Sequence, residues 1–279
     1  MILIADSGSS KTEWCLVNTE TGQSETCITA GVNPLYQDEE SIYRMLQKEF
    51  TLRFTVLGGI FFYGAGCIND GVKDIVRTAL NRNFRCLSIT VHSDLMAAAR
   101  SLCQNREGIA CILGTGSNSC YYNGHEIARH VSPLGYILGD EGSGAVIGRN
   151  FMADLLKKQL PDLVAERFFQ QYNLTPDQVI EHVYKAPYPN RFLAQFTRFI
   201  LENLSEPSLK SLVKESFREF FARNIRQYPE AKRLPVNFTG SVAWHFRELL
   251  IESARESGFV TGLITPAPMK GLVDYHLNA

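Results

Sequence analysis

No uninterrupted apolar run in the sequence approaches the roughly 18 to 20 residues that a membrane-spanning helix requires, so a membrane partner is not expected. No block of about five or more like charges occurs either, and the formal net charge is -1. The electrostatic footprint of a nucleic-acid binder is therefore missing. The seven cysteines include no CxxC pair, are odd in number and lie mostly in apolar stretches. They read as reduced, buried thiols rather than disulfides or metal ligands. The opening MILIADSGSS has no basic segment before its short apolar run and no cleavage-type site, so no export and a cytoplasmic location are expected.

What is present is 279 residues with 45% hydrophobic and 20% charged content, the composition of an ordinary globular chain. That length suits two lobes, each with its own core, and two lobes imply a cleft between them. Short apolar runs alternate with amphipathic segments in the first half, which predicts α/β layering. Strands are expected at 2–6, 13–18, 25–30, 59–63 and 87–92, and helices at 39–50, 70–84 and 94–103. A second strand set is expected at 109–113, 119–123 and 126–130. A mostly helical stretch, 144–229, is punctuated by Pro161, Pro176, Pro187, Pro189 and Pro207. Then come a strand at 236–239, a helix at 242–257 and an extended piece at 259–265. The loop-like QNREG near 105–108 places the lobe boundary, giving an N-terminal lobe of 1–106 and a C-terminal lobe of 107–265 with a helical insertion.

The two strand sets echo each other faintly. ILIADSGSSKTEWCLV and IACILGTGSNSCYYNG both run from an apolar strand through a Gly-Ser turn into a second strand. This suggests two related lobes, each opening on a glycine-bearing hairpin. In the first turn, Gly8 lets backbone N–H groups approach a ligand, while Ser9, Ser10, Lys11 and Thr12 supply donors suited to phosphate oxygens. Asp6, at the end of the first strand, could hold Mg²⁺ directly or through water. An ordinary polar hairpin turn explains the same residues. A Walker A loop does not, because GxxxxGK[ST] is absent and a strand follows. The second turn, Gly114-Thr115-Gly116-Ser117-Asn118, repeats that chemistry.

Three further segments carry candidate chemistry. Val91-His92-Ser93-Asp94 puts an acid where a strand meets a helix: Asp94 fits a general base for phosphoryl transfer, and Ser93 or Asp94 equally fits a helix cap. Gly135 to Gly144 crowds four glycines and two acids, with Asp140 suited to accepting hydroxyl hydrogen bonds and an acidic helix start as the plainer reading. Gly240-Ser241 joins a strand to a helix, as a nucleotide site or simply as a cap.

Taken in order, these elements resemble the phosphate-1, catalytic-acid, phosphate-2, GDEGS-type and adenosine segments of the BadF/BadG/BcrA/BcrD-type ATPase family, and within it the N-acetylglucosamine kinase-like branch. The resemblance covers nearly the whole chain, and ILGTGSN and GDEGS are its most specific segments. It implies an α/β, two-lobed actin-like ATPase (ribonuclease H-like) fold with a cleft between two related lobes, and a tail, 266–279, packing back on the first lobe. It implies ATP and Mg²⁺, and transfer of a phosphoryl group to an amino sugar at the 6-hydroxyl. By this likeness Asp94 is the base, Gly240 and Ser241 contact adenosine, and Asn33, Asp94, Gly114, Thr115, Gly135 and Asp140 contact the sugar. Tyr63-Gly64-Ala65-Gly66 occupies the place of another sugar-side loop but departs from the Ser-Gly-Gly type. A homodimer is expected.

Two other readings share these loops. Activators of 2-hydroxyacyl-CoA dehydratases carry a GGQD-type second turn and cluster cysteines, where this chain has GTGSN. A catalytically silent sugar-binding protein would keep the motifs without turnover. A sugar-sensing repressor would need a DNA-binding segment before the first strand, which is expected to begin at residue 2.

Overall fold

The computed structural model describes residues 1–8 and 10–278. Its strands are β1 (Ile2–Ser7), β2 (Lys11–Val17), β3 (Ser24–Ala30), β4 (Gly59–Gly64), β5 (Ile89–Ser93), β6 (Glu107–Leu113), β7 (Ser117–Asn123), β8 (Ile127–Val131), β9 (Val236–Thr239) and β10 (Thr261–Thr265). The helices of the first half are α1 (Glu39–Glu49), α2 (Asp70–Asn83), α3 (Asp94–Cys103) and the short α4 (Gly135–Leu138). They are followed by α5 (Gly144–Leu156), α6 (Asp162–Tyr172), α7 (Pro176–Tyr184), α8 (Pro189–Ala194), α9 (Thr197–Glu202), α10 (Pro207–Arg223), α11 (Ser241–His245), α12 (Arg247–Glu256) and α13 (Met269–Leu277). The chain divides into two compact units. One comprises Met1–Arg106, Gly124–Ile127 and Ala267–Ala279, the other Glu107–Asn123 and Ala128–Pro266.

The first unit is built on a sheet of order β3-β2-β1-β4-β5, with β2 antiparallel to β1 and β4 and β5 parallel to it. Because β1 is central, both its faces must be covered, and alternation divides its side chains between two cores. Leu3 and Ala5, with Trp14 and Leu16 opposite them, pack with Ile42 and Leu46 of α1 and Val76, Ala79 and Leu80 of α2. Ile4, Cys15 and Val17 face the other way, onto Ala97 of α3 and Met269 and Leu272 of α13.

The second unit repeats the plan: its sheet runs β8-β7-β6-β9-β10, with β7 antiparallel and β9 parallel to β6. Ile109, Cys111 and Leu113 of β6 share one continuous core with Phe151 of α5, Phe168 of α6 and Phe217, Phe220 and Phe221 of α10. This is the expected α/β architecture of two related lobes. One expected element breaks: the helix anticipated over 242–257 is α11 and α12, parted at Phe246 (φ -103°, ψ 22°). Val242 and Ala243 before the break, and Leu249 and Leu250 after it, all reach the same core. No helix among the described residues is long and apolar enough to cross a membrane.

Candidate functional site

In the first unit the register aligns Ser7 of β1 with Gly64 of β4, and Gly64 with Ser93 of β5. The ends of three parallel strands therefore meet at one sheet edge, where open α/β sheets characteristically bind ligands. The loops there are tied together by Ser7. Its hydroxyl accepts the Val32 N–H (2.9 Å) and lies 2.7 Å from the Thr12 hydroxyl, while its carbonyl accepts the Ala65 N–H (2.9 Å). The Gly31 N–H donates to the Ser10 carbonyl (3.2 Å). Ser10, Lys11 and Thr12, loop 31–33 and loop 64–66 thus cluster around the end of β1.

Gly8, Ser10 and Lys11 are exposed at this edge, as phosphate ligands must be. Ser9 lies outside the described residues. Thr12 requires a correction: it is fully buried, and its hydroxyl is taken up by Ser7 and by the Ala30 carbonyl (3.2 Å). It braces the turn from within, and a phosphate cannot reach that hydroxyl. Asn33 turns its side-chain oxygen onto the Leu35 N–H (3.0 Å) and packs directly against Gly66, which joins the two loops assigned to the sugar side.

Asp6 and Asp94 carry the electrostatics of this edge. Burial pushes the Asp6 carboxyl up to about 7, with the charges of Asp94 and Glu13 adding and that of Lys11 opposing. Burial also raises Asp94, against the Leu95 N–H that its Oδ1 accepts at 2.8 Å. Ser93 is the N-cap of α3, its hydroxyl accepting from the Met96 N–H at 3.3 Å. The two readings of this segment separate accordingly: Ser93 caps, and Asp94 stands in the first turn with a carboxylate not consumed by the cap.

In the second unit the turn 114–116 leads β6 into β7, and GDEGS folds onto it. The Gly144 N–H donates to the Gly114 carbonyl (2.8 Å), and the Ala145 N–H to that of Thr115 (3.0 Å). Asp140, held at φ 54°, aims Oδ1 at the Ser117 N–H (3.3 Å). The two most specific segments of the sequence are therefore one structure. Burial raises Asp140 to about 6; the Ser117 N–H opposes this and Glu141 adds to it.

Glu141 has a different task. Nearly buried at 6% exposure, it is paired with Arg223 (3.0 Å) and accepts from Asn224 (3.1 Å), anchoring the loop to the end of α10. Nothing in the sequence singled out Arg223 or Asn224, since the partner lies more than 80 positions away. The cap of α5 is Ser143, accepting from the Val146 N–H (3.2 Å), so Asp140 is spared that role as well. Gly135 begins the exposed α4, whose segment is closed by the Asp140 N–H on the Pro133 carbonyl (2.8 Å).

Gly240 is held tightly by its own fold. Its φ of 118° suits only glycine, and a side chain there would run into the Leu113 carbonyl. Glycine is required here by the close pass of β9 beside β6. Ser241 is the exposed first residue of α11 and does not cap it; the N-cap is Gly240. Ser241 instead lines a pocket of about 360 Å³ together with Thr197, Leu201, Val242, His245 and Phe246. A mostly apolar pocket of this size with a few polar groups suits a flat heterocycle. Thr197, Leu201 and His245 carry no sequence signal for such a role. No group of three or more metal-binding side chains occurs among the described residues.

A scan of protein-family models and a search of curated proteins gave no match. Solved structures do match. A Porphyromonas gingivalis protein provisionally named an N-acetylglucosamine kinase is 46% identical, over 100% of this chain and 99% of its own, with a TM-score of 0.94. A Chromobacterium violaceum protein of the same provisional name shares the fold at 17% identity, with 98% of each chain covered and a TM-score of 0.75. Component A of the (R)-2-hydroxyglutaryl-CoA dehydratase of Acidaminococcus fermentans shares it more distantly, at 14% identity over 100% and 96% of the two chains, with a TM-score of 0.50. At 46% identity from end to end, this chain belongs to the family of the Porphyromonas gingivalis protein.

Proposed function

We propose that this chain is an ATP-dependent sugar kinase that transfers the γ-phosphoryl group to N-acetylglucosamine or a related amino sugar, at the 6-hydroxyl. The observation that carries the reading is the whole-chain identity of 46% to a protein provisionally named for that activity. The placement of the acids supports it.

Phosphoryl transfer asks little covalent chemistry of a protein and much positioning. Asp94 takes the proton of the attacking hydroxyl, and a carboxylate whose pKa is raised by burial is a better base than an ordinary one. Asp140 accepts a sugar hydroxyl, with Asn33, Gly114, Thr115 and Gly135 completing the contacts. The exposed turn of Gly8, Ser10 and Lys11, and the turn of Thr115, Gly116 and Ser117, offer N–H and hydroxyl donors to the phosphates. Ser241 and its pocket take the adenosine.

Asp6 fits a magnesium ion that arrives with the nucleotide. Its carboxyl is desolvated beside Asp94 and Glu13, an acid-rich surrounding that a cation relieves. Magnesium commonly uses one or two carboxylates plus phosphates and water, so a three-residue cage is not needed. When bound, the ion neutralises charge on the phosphates.

The test is ADP release with Mg-ATP across N-acetylglucosamine, glucosamine, N-acetylmannosamine, a muramic-acid-type sugar and glucose. Sugar-dependent turnover with an amino sugar preferred is the expected result. Equal turnover without any sugar contradicts the reading.

A further inference from the structure

Tyr63 is fully buried and the roles above leave it unused, yet three elements of the first unit meet on its hydroxyl. On β4 it stands one residue before Gly64, aligned with Asp6 of β1 and His92 of β5, so it is the strand's last side chain before the ligand edge. The Arg100 Nη1 of α3 lies 2.9 Å from the hydroxyl oxygen, and the His276 Nε2 of α13 lies 2.8 Å from it. A guanidinium only donates, so the oxygen accepts from Arg100 and the phenol proton goes to His276. The direction of the chain is thereby fixed: Arg100 N–H to Tyr63 O–H to His276 Nε2, with the ring proton on Nδ1. Burial pushes the His276 ring down to about 4, with Arg100 and His92 adding, which keeps it neutral at neutral pH.

A second set of contacts ties α13 to α3. Gly271 packs so closely on Ser101 that a side chain there would collide with the Ser101 carbonyl, and the Gln104 side-chain amide donates to the Gly271 carbonyl (2.9 Å). The Arg100 guanidinium lies 5.0 Å from the centre of the Tyr275 ring, and the His276 ring stacks on Phe61 of β4 at 3.9 Å between centroids. On α3 these contacts fall on Arg100, Ser101 and Gln104, its C-terminal half and cap, whereas Asp94 opens the same helix at its other end. A helix moves as one rigid element, so what fixes its C-terminal half also sets where its first turn lies against the strand ends.

We infer that His276 is a positioning residue: by accepting the Tyr63 proton it locks Tyr63 to Arg100, and so fixes the placement of α3, and with it the Asp94 carboxylate, on the sheet. This rests on the sugar-kinase reading, in which Asp94 is the base. A base displaced by a fraction of an ångström loses rate more than substrate affinity, because the sugar is held chiefly by other groups. A neutral ring accepts at Nε2 in one tautomer alone, and that makes the chain checkable without turnover.

The first readout is the ring nitrogen spectrum of ¹⁵N-histidine-labelled protein at pH 7, with His276 assigned through His276→Gln. A neutral Nδ1–H tautomer whose signals move in Tyr63→Phe is expected; an Nε2–H tautomer overturns the inference. The second is steady-state kinetics. Tyr63→Phe keeps the buried ring and removes both hydrogen bonds, and His276→Leu removes the acceptor. Each should lower kcat about tenfold, with the sugar and ATP KM within about threefold. His276→Gln, which offers an acceptor oxygen near the Nε2 position, should recover most of the loss. The double variant Tyr63→Phe with His276→Leu should be about as impaired as Tyr63→Phe alone, since both changes break one chain. An unchanged kcat in Tyr63→Phe, a Gln variant as impaired as the Leu variant, or losses that multiply in the double variant overturn it. A wild-type protein that phosphorylates no sugar contradicts the proposed function instead, while the ring spectrum still decides the chain from Arg100 through Tyr63 to His276.

Discussion

Ser93 and Asp94 are neighbours with separate tasks: the Ser93 hydroxyl caps α3 through the Met96 N–H, and the Asp94 carboxylate sits in the first turn against the Leu95 N–H. Asp94→Asn keeps the shape and can still accept from Leu95, but it cannot take a proton from a hydroxyl. The expected result is a kcat lower by about 10² to 10⁴. Stability should not fall, because the burial that raises the carboxyl disfavours its charged form. Steady-state kinetics and urea unfolding of the one variant check both halves, and a fully active Asp94→Asn enzyme removes the base.

Asp140 predicts a pH dependence with an unusual sign. Its folded pKa, raised to about 6, lies above the value near 3.8 of an unperturbed carboxyl, so the native state holds the proton more tightly than the unfolded chain. The stabilising contribution is thus complete below pH of about 4 and is lost as pH rises through about 6. Asp140→Asn has no such titration. Partial exposure screens part of this, so relative to the wild type it should gain about 1 kcal/mol between pH 4 and pH 7.5, measured by urea unfolding at both. The same variant should raise the sugar KM more than it lowers kcat.

The two glycine turns should respond differently to valine. A side chain at Gly8 would meet only the Lys11 carbonyl at an ordinary 3.8 Å, so Gly8→Val should fold normally and impair nucleotide use alone. At Gly116 the new carbon would lie 3.3 Å from the Asp140 Oδ2, which must give way. Gly116→Val should therefore raise both the ATP and the sugar KM. Identical profiles for the two variants contradict this difference between the turns.

Ser241 offers a probe of the pocket that spares the fold, since it is exposed and caps nothing. Ser241→Tyr places a ring at the mouth of the pocket and should raise the ATP KM about tenfold, equivalent to about 1.4 kcal/mol, with the sugar KM within about twofold. An unchanged ATP KM moves the adenosine elsewhere.

The sequence by itself determined the local features. The short apolar runs in ILIADS and through Leu113 dictated strands, Gly-Ser turns dictated the hairpins, and Ser93 or Asp94 before an apolar helix pointed to a cap. The order of those elements, with GTGSN and GDEGS, carried the family resemblance. Only the tertiary structure decided what each residue touches. It buried Thr12 behind Ser7, packed Gly240 against the Leu113 carbonyl, and paired Glu141 with Arg223. It also split the helix at Phe246 and set His276 on Tyr63. The physical reason is that periodicity and turn chemistry depend on residues a few positions apart, whereas burial and hydrogen-bond partnership depend on which distant strands and helices pack together.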